Sequence, residues 1–236
     1  MTRRVPATRE ALAAVPLEVA PRLLDALLQT EVAGERVVLR ITEVEAYHGR
    51  GTGDVPDPGS HARMGPTARN ATMWGEPGHL YVYLSHGIHS CVNVVCAPPG
   101  MAGGVLLRAA EVIEGADAAL RRRTVRGVVR EPRDLARGPG RLGDASGLRH
   151  PVHDGMDAVT GAPLAGARAT LLLRADPLPA IASGPRVGVA GVAGTDAFPW
   201  RFWIPGDDTV SPFRWGRGAA AASGTLVKPT RRGMLS

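Results

Sequence analysis

The run from Leu39 to Gly49, LRITEVEAYHG, constrains the fold most, because it has the pattern of a strand that passes from apolar residues into a polar loop. Strand residues alternate between faces, so every second residue from Leu39 to Tyr47 shares a face that changes from apolar to acidic. Glu45 then lies at the end of a half-buried strand, where a carboxylate can be partly desolvated and still reachable, as a general base must be. Taken alone, the stretch is more typical of an edge strand whose two glutamates are solvated.

The composition bounds the class of protein. Of the 236 residues, 44% are hydrophobic, which is enough for one substantial core, and we predict a single domain. The formal charge of +6 is compatible with an anionic partner such as nucleic acid or a membrane surface. The two cysteines, Cys91 and Cys96, are too few for a disulfide framework. The sequence shows no signal peptide and no apolar run of transmembrane length, so we expect a cytoplasmic, nucleoid-associated protein.

Apolar periodicity and turn residues predict the order of elements along the chain. The loop over residues 49–78 is rich in Gly, Pro and Asp, and loops of this length in a compact domain are usually functional or disordered. In chain order we predict a mobile tail (1–16), an amphipathic helix (17–30), a strand (36–47), the long loop, a hairpin (80–84 and 89–96), a strand (104–109), a helix (111–126), two further strands (167–174 and 186–192) and a disordered tail (216–236).

The predicted hairpin is the second candidate functional element. Its first strand places Tyr81 and Tyr83 on one face, and its turn presents His86 at the tip beside Gly87. Aromatic rings can hold a nucleobase, and a protruding tip can enter between the stacked base pairs of a duplex. Without further context, the same residues are more typical of an ordinary hairpin with two packed tyrosines and a solvated turn histidine.

A cluster of histidines and cysteines raises the possibility of a structural metal. Five such residues lie within 18 positions, namely His79, His86, His89, Cys91 and Cys96. Their spacing argues against zinc, because there is no C-x2-C pair and no H-x3-H pair, and strand alternation sends Cys96 to the face opposite His89 and Cys91. We therefore expect no metal.

Two segments could contact phosphate groups. Arg63 and Arg69 lie in the long loop, which lacks the spacing of a known phosphate loop, and they either contact phosphate or are simply solvated. Gly138 and Gly140 flank Pro139 before a short predicted helix that also contains Arg141, and the free amides at the start of such a helix could hold a phosphate.

Taken together, several segments resemble the alkyladenine (3-methyladenine) DNA glycosylase family. They are EVEAY at 43–47, SHAR at 60–63, RN at 69–70, LYVY at 80–83 with Gly87 and Asn93, VLLRA at 105–109, GPGRL at 138–142 and PRVG at 185–188. The resemblance covers about residues 17–215. It implies a single mixed α/β (α+β) domain with a curved antiparallel sheet, flanking helices and a protruding β-hairpin, similar to the formyltransferase C-terminal-like fold.

The resemblance also implies an activity. Members of the family bind duplex DNA in the minor groove, flip an alkylated or deaminated purine such as 3-methyladenine or hypoxanthine out of the stack, and hydrolyse its N-glycosidic bond in base excision repair. We therefore expect a monomeric enzyme that acts on damaged double-stranded DNA without a cofactor, a metal or a membrane. Lys228 is the only lysine and lies near the C-terminus, so a lysine-dependent lyase step is unfavourable and water is the expected nucleophile.

The roles of individual residues follow from the same resemblance. The catalytic positions are Glu45 as general base, with Arg108 and the backbone of Val187 holding the attacking water. The base-pocket positions are Tyr47, His61, Tyr83 and Asn93, and Asn93 helps to exclude purines with an extra amino group. The intercalating tip is His86 with Gly87, where animal members carry a tyrosine. The DNA-backbone positions are Arg63, Arg69, Gly138, Gly140 and Arg141.

Two alternatives of other classes stay open at this point. One is a basic nucleic-acid-binding module that keeps the hairpin without the chemistry. The other is a structural domain in which the histidine and cysteine cluster binds a metal.

Overall fold

The computed structural model describes residues 2–226, and within them one antiparallel sheet of 11 strands carries the fold. The strands are β1 (Arg4–Pro6), β2 (Leu27–Val32), β3 (Glu35–His48), β4 (His79–Ser85), β5 (His89–Val95), β6 (Gly103–Glu114), β7 (Ala136–Arg137), β8 (Met156–Asp157), β9 (Ala167–Arg174), β10 (Ala182–Gly184) and β11 (Arg201–Trp203). The helices are α1 (Arg9–Leu12), α2 (Pro16–Leu23), α3 (Ala116–Thr124), α4 (Pro139–Ser146) and α5 (Ala219–Leu226), with short 3₁₀ helices at Ala71–Trp74, Pro132–Asp134 and Gly191–Gly194.

The sheet places β3 at its centre. The strand order is β1-β9-β2-β3-β6-β5-β4-β8, and β11 also pairs with β3, beside its second half. Glu43 and Glu45 are therefore in a central strand, and both side chains are buried. The interpretation of this stretch as a solvated edge strand is wrong, because β6 covers one side of it and β11 the other.

The predicted single α+β domain with an antiparallel curved sheet and few helices is confirmed. The strand predicted at 36–47, the hairpin at 80–96 and the strand at 167–174 all form where expected. The core lies between the sheet and helices α2 and α4, and its fully buried side chains include Leu23, Leu28, Leu39, Ile41, Leu80, Leu107 and Leu142. Each such leucine contributes about 1.5–3 kcal/mol by leaving water.

The N-terminal residues are not a mobile tail. Strand β1 pairs with β9, and Leu12 of α1 is fully buried. The Thr8 hydroxyl caps α1 by accepting a hydrogen bond from the Ala11 N–H. The predicted boundary at residue 17 is therefore wrong, because these short elements gain their stability by adding to the sheet and the core rather than from their own length.

Three predicted elements differ in type or extent. The helix expected over residues 17–30 ends at Leu23, since Asp25 takes a positive φ of 60° and the chain then enters β2. The helix expected from residue 111 begins only at Ala116, because β6 continues to Glu114 beside β3. The strand expected over residues 186–192 is irregular, with positive φ at Gly188 and Gly191.

The C-terminal part is more ordered than predicted. Helix α5 begins at Ala219, whose side chain is fully buried, so the prediction of disorder from residue 216 is wrong at least as far as residue 226. The rest of that predicted tail, residues 227–236, lies outside the described residues. Among the described helices, none is long and apolar enough to cross a membrane.

Candidate active site

A cavity of about 520 Å³ opens between β3, the β4–β5 hairpin, the long loop and the chain from Val187 to Ala190. This size suits a small-molecule-sized group such as a nucleobase with its sugar. The sequence-predicted residues that line it are Glu45, Tyr47, His61, Arg63, Tyr83, His86, Asn93, Arg108 and Val187. Strand β3, the hairpin, β6, the long loop and the chain at Val187 therefore bring together all the predicted catalytic and base-pocket residues.

The Glu45 carboxylate is buried, yet it faces the cavity and is held by two hydrogen-bond donors and one arginine. The Val187 N–H donates to Oε1 at 2.7 Å, and the Tyr47 hydroxyl donates to Oε2 at 2.8 Å. Nη1 of Arg108 lies 3.5 Å from Oε1. These contacts orient the carboxylate toward the cavity, which is what a base or an electrostatic stabiliser of positive charge requires.

Arg108 is in turn held by a second carboxylate that the sequence reasoning did not assign to the site. Its Nε lies 3.1 Å from Oε1 of Glu43 and donates to the Ser211 hydroxyl at 3.1 Å. Glu43 also accepts hydrogen bonds from Arg201 Nε at 2.6 Å and from the Ser211 N–H at 2.8 Å. Burial alone would lower the pKa of Arg108, but Glu45 and Glu43 outweigh it and raise that pKa, so the guanidinium stays charged.

A buried ion pair lies behind this group and also went unpredicted. Arg186 is fully buried, and its two Nη atoms donate to the two carboxylate oxygens of Asp57 at 2.7 Å each. The same guanidinium donates to the carbonyls of Ala46 and Ala193, and it lies 4.5 Å from the centroid of the Tyr47 ring. Because Arg186 precedes Val187, the pair fixes the long loop and the Val187 N–H against β3.

The base-pocket side chains form an aromatic wall. The rings of Tyr81 and Tyr83 stack with centroids 5.5 Å apart, and His61 meets Tyr83 edge-on at 4.7 Å. Desolvation, helped by the nearby charges of Arg63 and Arg69, lowers the pKa of His61. Burial raises the pKa of Tyr83. The wall is therefore uncharged near pH 7.

Two further side chains have defined orientations in the pocket. The Asn93 Nδ2 donates to the Tyr81 carbonyl at 3.0 Å, which leaves its amide oxygen as the free acceptor. Burial, followed by the charge of Glu45, raises the pKa of Tyr47 well above its ordinary value, so its hydroxyl remains a donor. Both side chains thus present fixed polar groups.

The tip of the hairpin points away from the core. His86 and Gly87 both have positive φ, 52° and 70°, and the Ile88 N–H closes the turn by donating to the Ser85 carbonyl at 3.1 Å. The His86 side chain is exposed at the mouth of the cavity, with its Nδ1 3.0 Å from the Ser85 hydroxyl. Gly87 lies outside the cavity lining.

The other predicted backbone contacts lie outside the cavity. Arg69, Gly138, Gly140 and Arg141 do not line it, and Arg141 is 3.6 Å from the carboxylate of Asp134. A Cβ on Gly140 would come within 2.9 Å of His89, so this glycine has a packing role in seating α4 against the hairpin. Arg63 and Arg69 are exposed and have no carboxylate partner among residues 2–226.

The described residues contain no group of three or more His, Cys, Asp or Glu side chains arranged to hold a metal. Cys91 and Cys96 are both buried free thiols.

The cavity thus brings an oriented carboxylate, that of Glu45, beside a wall of aromatic rings. The chain belongs to the methylpurine-DNA glycosylase family, whose sequence profile matches residues 10–208. It is thus a DNA glycosylase, a hydrolase, and the resemblance found from sequence is confirmed.

Several known proteins are similar to this chain. One from Leifsonia xyli subsp. xyli is 53% identical over 87% of this chain and 92% of its own length. One from Streptomyces avermitilis is 47% identical over 89% of this chain and 93% of its own length, and one from Nocardia farcinica is 46% identical over 94% and 97%. Each of the three is provisionally named a 3-methyladenine DNA glycosylase.

Proposed function

We propose that the protein flips alkylated purines, 3-methyladenine among them, out of duplex DNA and hydrolyses their N-glycosidic bond with water, leaving an abasic site for base excision repair. The observation that carries the proposal is the Glu45 carboxylate, which is buried and held by donors yet lines a nucleobase-sized cavity. The names of the similar proteins support 3-methyladenine as a substrate.

The chemistry follows from the charge that develops on the sugar. Breaking an N-glycosidic bond gives the deoxyribose oxocarbenium character, and a nearby carboxylate stabilises that positive charge while it accepts a proton from the attacking water. Glu45 supplies both functions. Arg108 and the Val187 N–H hold the carboxylate in place, so that it needs no reorganisation when the reaction begins.

Recognition of the damaged base follows from the uncharged aromatic wall. Methylation at N3 or N7 gives a purine a positive charge, which aromatic faces attract by about 0.5–2 kcal/mol. Tyr47 and Tyr83 provide such faces, and a neutral His61 does not repel the cation. Deaminated purines such as hypoxanthine lack that charge, and we propose them as further substrates that depend on hydrogen bonds in the pocket.

Extrusion of the nucleotide is assigned to the hairpin tip. Moving a base out of the duplex costs a few kcal/mol, least for a weakened pair. In this proposal His86 occupies the gap that the base leaves in the stack, and its exposure at the cavity mouth supports that role. Water is the nucleophile in this proposal, because residues 2–226 contain no lysine that could form a Schiff base.

The test replaces the proposed base and measures release and binding separately. Glu45→Gln keeps the shape of the side chain, so we expect binding to a hypoxanthine-containing duplex within about 3-fold of wild type and base release reduced about 100-fold or more. Release is scored as alkali-sensitive strand breaks and, on methylated DNA, as free methylpurines.

The matched control is Glu31→Gln, since Glu31 is an exposed glutamate on β2 without an ion-pair partner among the described residues. It should release bases at the wild-type rate. Wild-type release by Glu45→Gln would contradict the assignment of the base, and no release by the wild-type protein would favour a binding module without catalysis.

A further inference from the structure

The segment from Phe213 to Arg217, FRWGR, runs along the outer side of the cavity wall. The Gly188 N–H donates to the Arg214 carbonyl at 2.9 Å, and the Gly191 N–H donates to the Arg217 carbonyl at 3.0 Å. Between these bonds Gly216 is packed so closely that a Cβ would meet the Val189 carbonyl oxygen at 2.0 Å. The segment is therefore a fixed part of the wall that carries the Val187 N–H.

Two aromatic rings of this segment face solvent. Phe213 is 37% exposed and Trp215 is 42% exposed, and their rings pack edge to face at 4.8 Å. Large aromatic side chains that are ordered yet exposed beside a pocket are a common mark of a binding surface. The guanidinium of the buried Arg201, which binds Glu43, lies 5.8 Å from the Phe213 ring, so the aromatic pair is seated on the same network that holds Arg108.

The same segment carries two free cations. Arg214 and Arg217 are exposed, and neither side chain has an ion-pair or hydrogen-bond partner in residues 2–226. Many arginines of this chain are paired with carboxylates, as Arg40 and Arg186 are. Unpaired guanidinium groups beside exposed rings are the combination that binds a nucleic-acid strand, through phosphates and stacked bases or sugars.

The position in the sheet indicates which part of the DNA would reach the segment. The hairpin lies on one side of β3, beyond β6, whereas β11 and the segment that follows it lie on the other side. From β5 to β11 there are three strand spacings, roughly 14 Å in total, which corresponds to about four nucleotides. DNA that ran from the hairpin across β3 would meet the segment a few nucleotides from the extruded base.

We propose that the segment Phe213–Arg217 is a second DNA-contact surface, which binds the backbone of the substrate duplex on the side of the cavity away from the hairpin. This inference rests on the proposed function for its ligand. Arg214 and Arg217 neutralise phosphates, and Trp215 with Phe213 packs against the sugars or an exposed base.

The experiment measures duplex affinity as a function of salt. Arg214→Ala/Arg217→Ala should reduce the slope of log Kd against log salt concentration by about 1–2 and weaken binding about 10-fold or more at moderate salt. Trp215→Ala should weaken binding about 5-fold or more, while Trp215→Phe keeps it within about 3-fold because a ring remains. The matched control Arg168→Ala changes an exposed arginine on β9, which has no carboxylate partner among the described residues, and should leave both quantities unchanged.

Measuring the rate of base release distinguishes a failure of this inference from a failure of the proposed function. Under single-turnover conditions with saturating enzyme, the variants should release bases at the wild-type rate, because the segment does not touch the reacting atoms. Thermal unfolding of each variant verifies that it is folded. Unchanged affinity and salt slope in the double arginine variant would overturn the second surface and leave the glycosylase proposal intact. If the wild-type protein failed to release bases, the glycosylase proposal would be overturned and the second DNA-contact surface would not.

Discussion

Replacing Asp57 with alanine should destabilise the protein strongly, because it leaves the Arg186 guanidinium buried without a counter-charge. Removing one partner of a buried ion pair costs about 3–5 kcal/mol. Two hydrogen bonds from Arg186 to the carbonyls of Ala46 and Ala193 survive, but the N–H groups of His48 and Gly59 also lose their acceptor, so we expect a loss of at least about 3 kcal/mol. For a chain of this size, such a loss lowers the Tm by about 6–12 °C.

The assay is urea unfolding of the wild-type protein and Asp57→Ala, with the free energy taken from the midpoint at a constant m value. The control is Glu114→Ala, which breaks the exposed ion pair with Arg36 and should cost less than about 1 kcal/mol. Asp57→Ala/Arg186→Met removes both charges and should be more stable than Asp57→Ala. A loss below about 1 kcal/mol in Asp57→Ala would refute the view that this pair holds the loop against β3.

Three further predictions concern the site. Tyr47→Phe removes the hydroxyl that donates a hydrogen bond to Glu45. Because a hydrogen bond to a charged group contributes about 1.5–3 kcal/mol, base release should slow about 10-fold or more while the affinity for the lesion is kept. An unchanged rate would contradict this prediction. His86→Ala should weaken binding to a lesion-containing duplex at least about 5-fold more than it weakens binding to an undamaged duplex, with both affinities measured by fluorescence anisotropy. Equal losses of affinity for the two duplexes would show that the hairpin tip does not enter the stack. Burial lowers the pKa of His48 in the folded protein. On acidification, the unfolded chain therefore binds a proton at this residue near pH 6.5, before the folded protein does. The stability that neutral His48 contributes is complete above that pH and is lost as the pH falls below it. Urea unfolding at pH 7.5 and 5.5 should therefore show a smaller loss in His48→Gln than in wild type, and equal losses would contradict the assignment.

Local sequence patterns were sufficient to predict the central strand β3 and the β4–β5 hairpin. The two-residue period placed Glu43, Glu45 and Tyr47 on one face, and the hairpin put Tyr83 and Asn93 on neighbouring strands. The two-residue period could not show which strands flank β3. The identity of those flanking strands decides whether the carboxylates of β3 are solvated or buried. Pairing with β11 depends on residues about 158 positions away, as the Arg201–Glu43 contact shows.

The supporting ion pair was beyond sequence reasoning for the same reason. Asp57 lies in a long polar loop and Arg186 in a segment that resembled a strand, and 129 positions separate them. Neither residue has a local signal of burial, because an arginine is usually exposed unless a carboxylate meets it. The N-terminal elements escaped prediction since each is too short to show periodicity, and they are stable only through the strands and core that they join.

The late position of β11 and Ser211 in the chain has a consequence for synthesis. Strand β3 emerges early from the ribosome, but Glu43 meets Arg201 and Ser211 only after nearly the whole domain has been made. A nascent chain that ends before Arg201 therefore lacks the partners that hold the Glu43 carboxylate, although strands β3 to β6 have already been made. Under the proposed mechanism, base release therefore requires synthesis to proceed past Ser211.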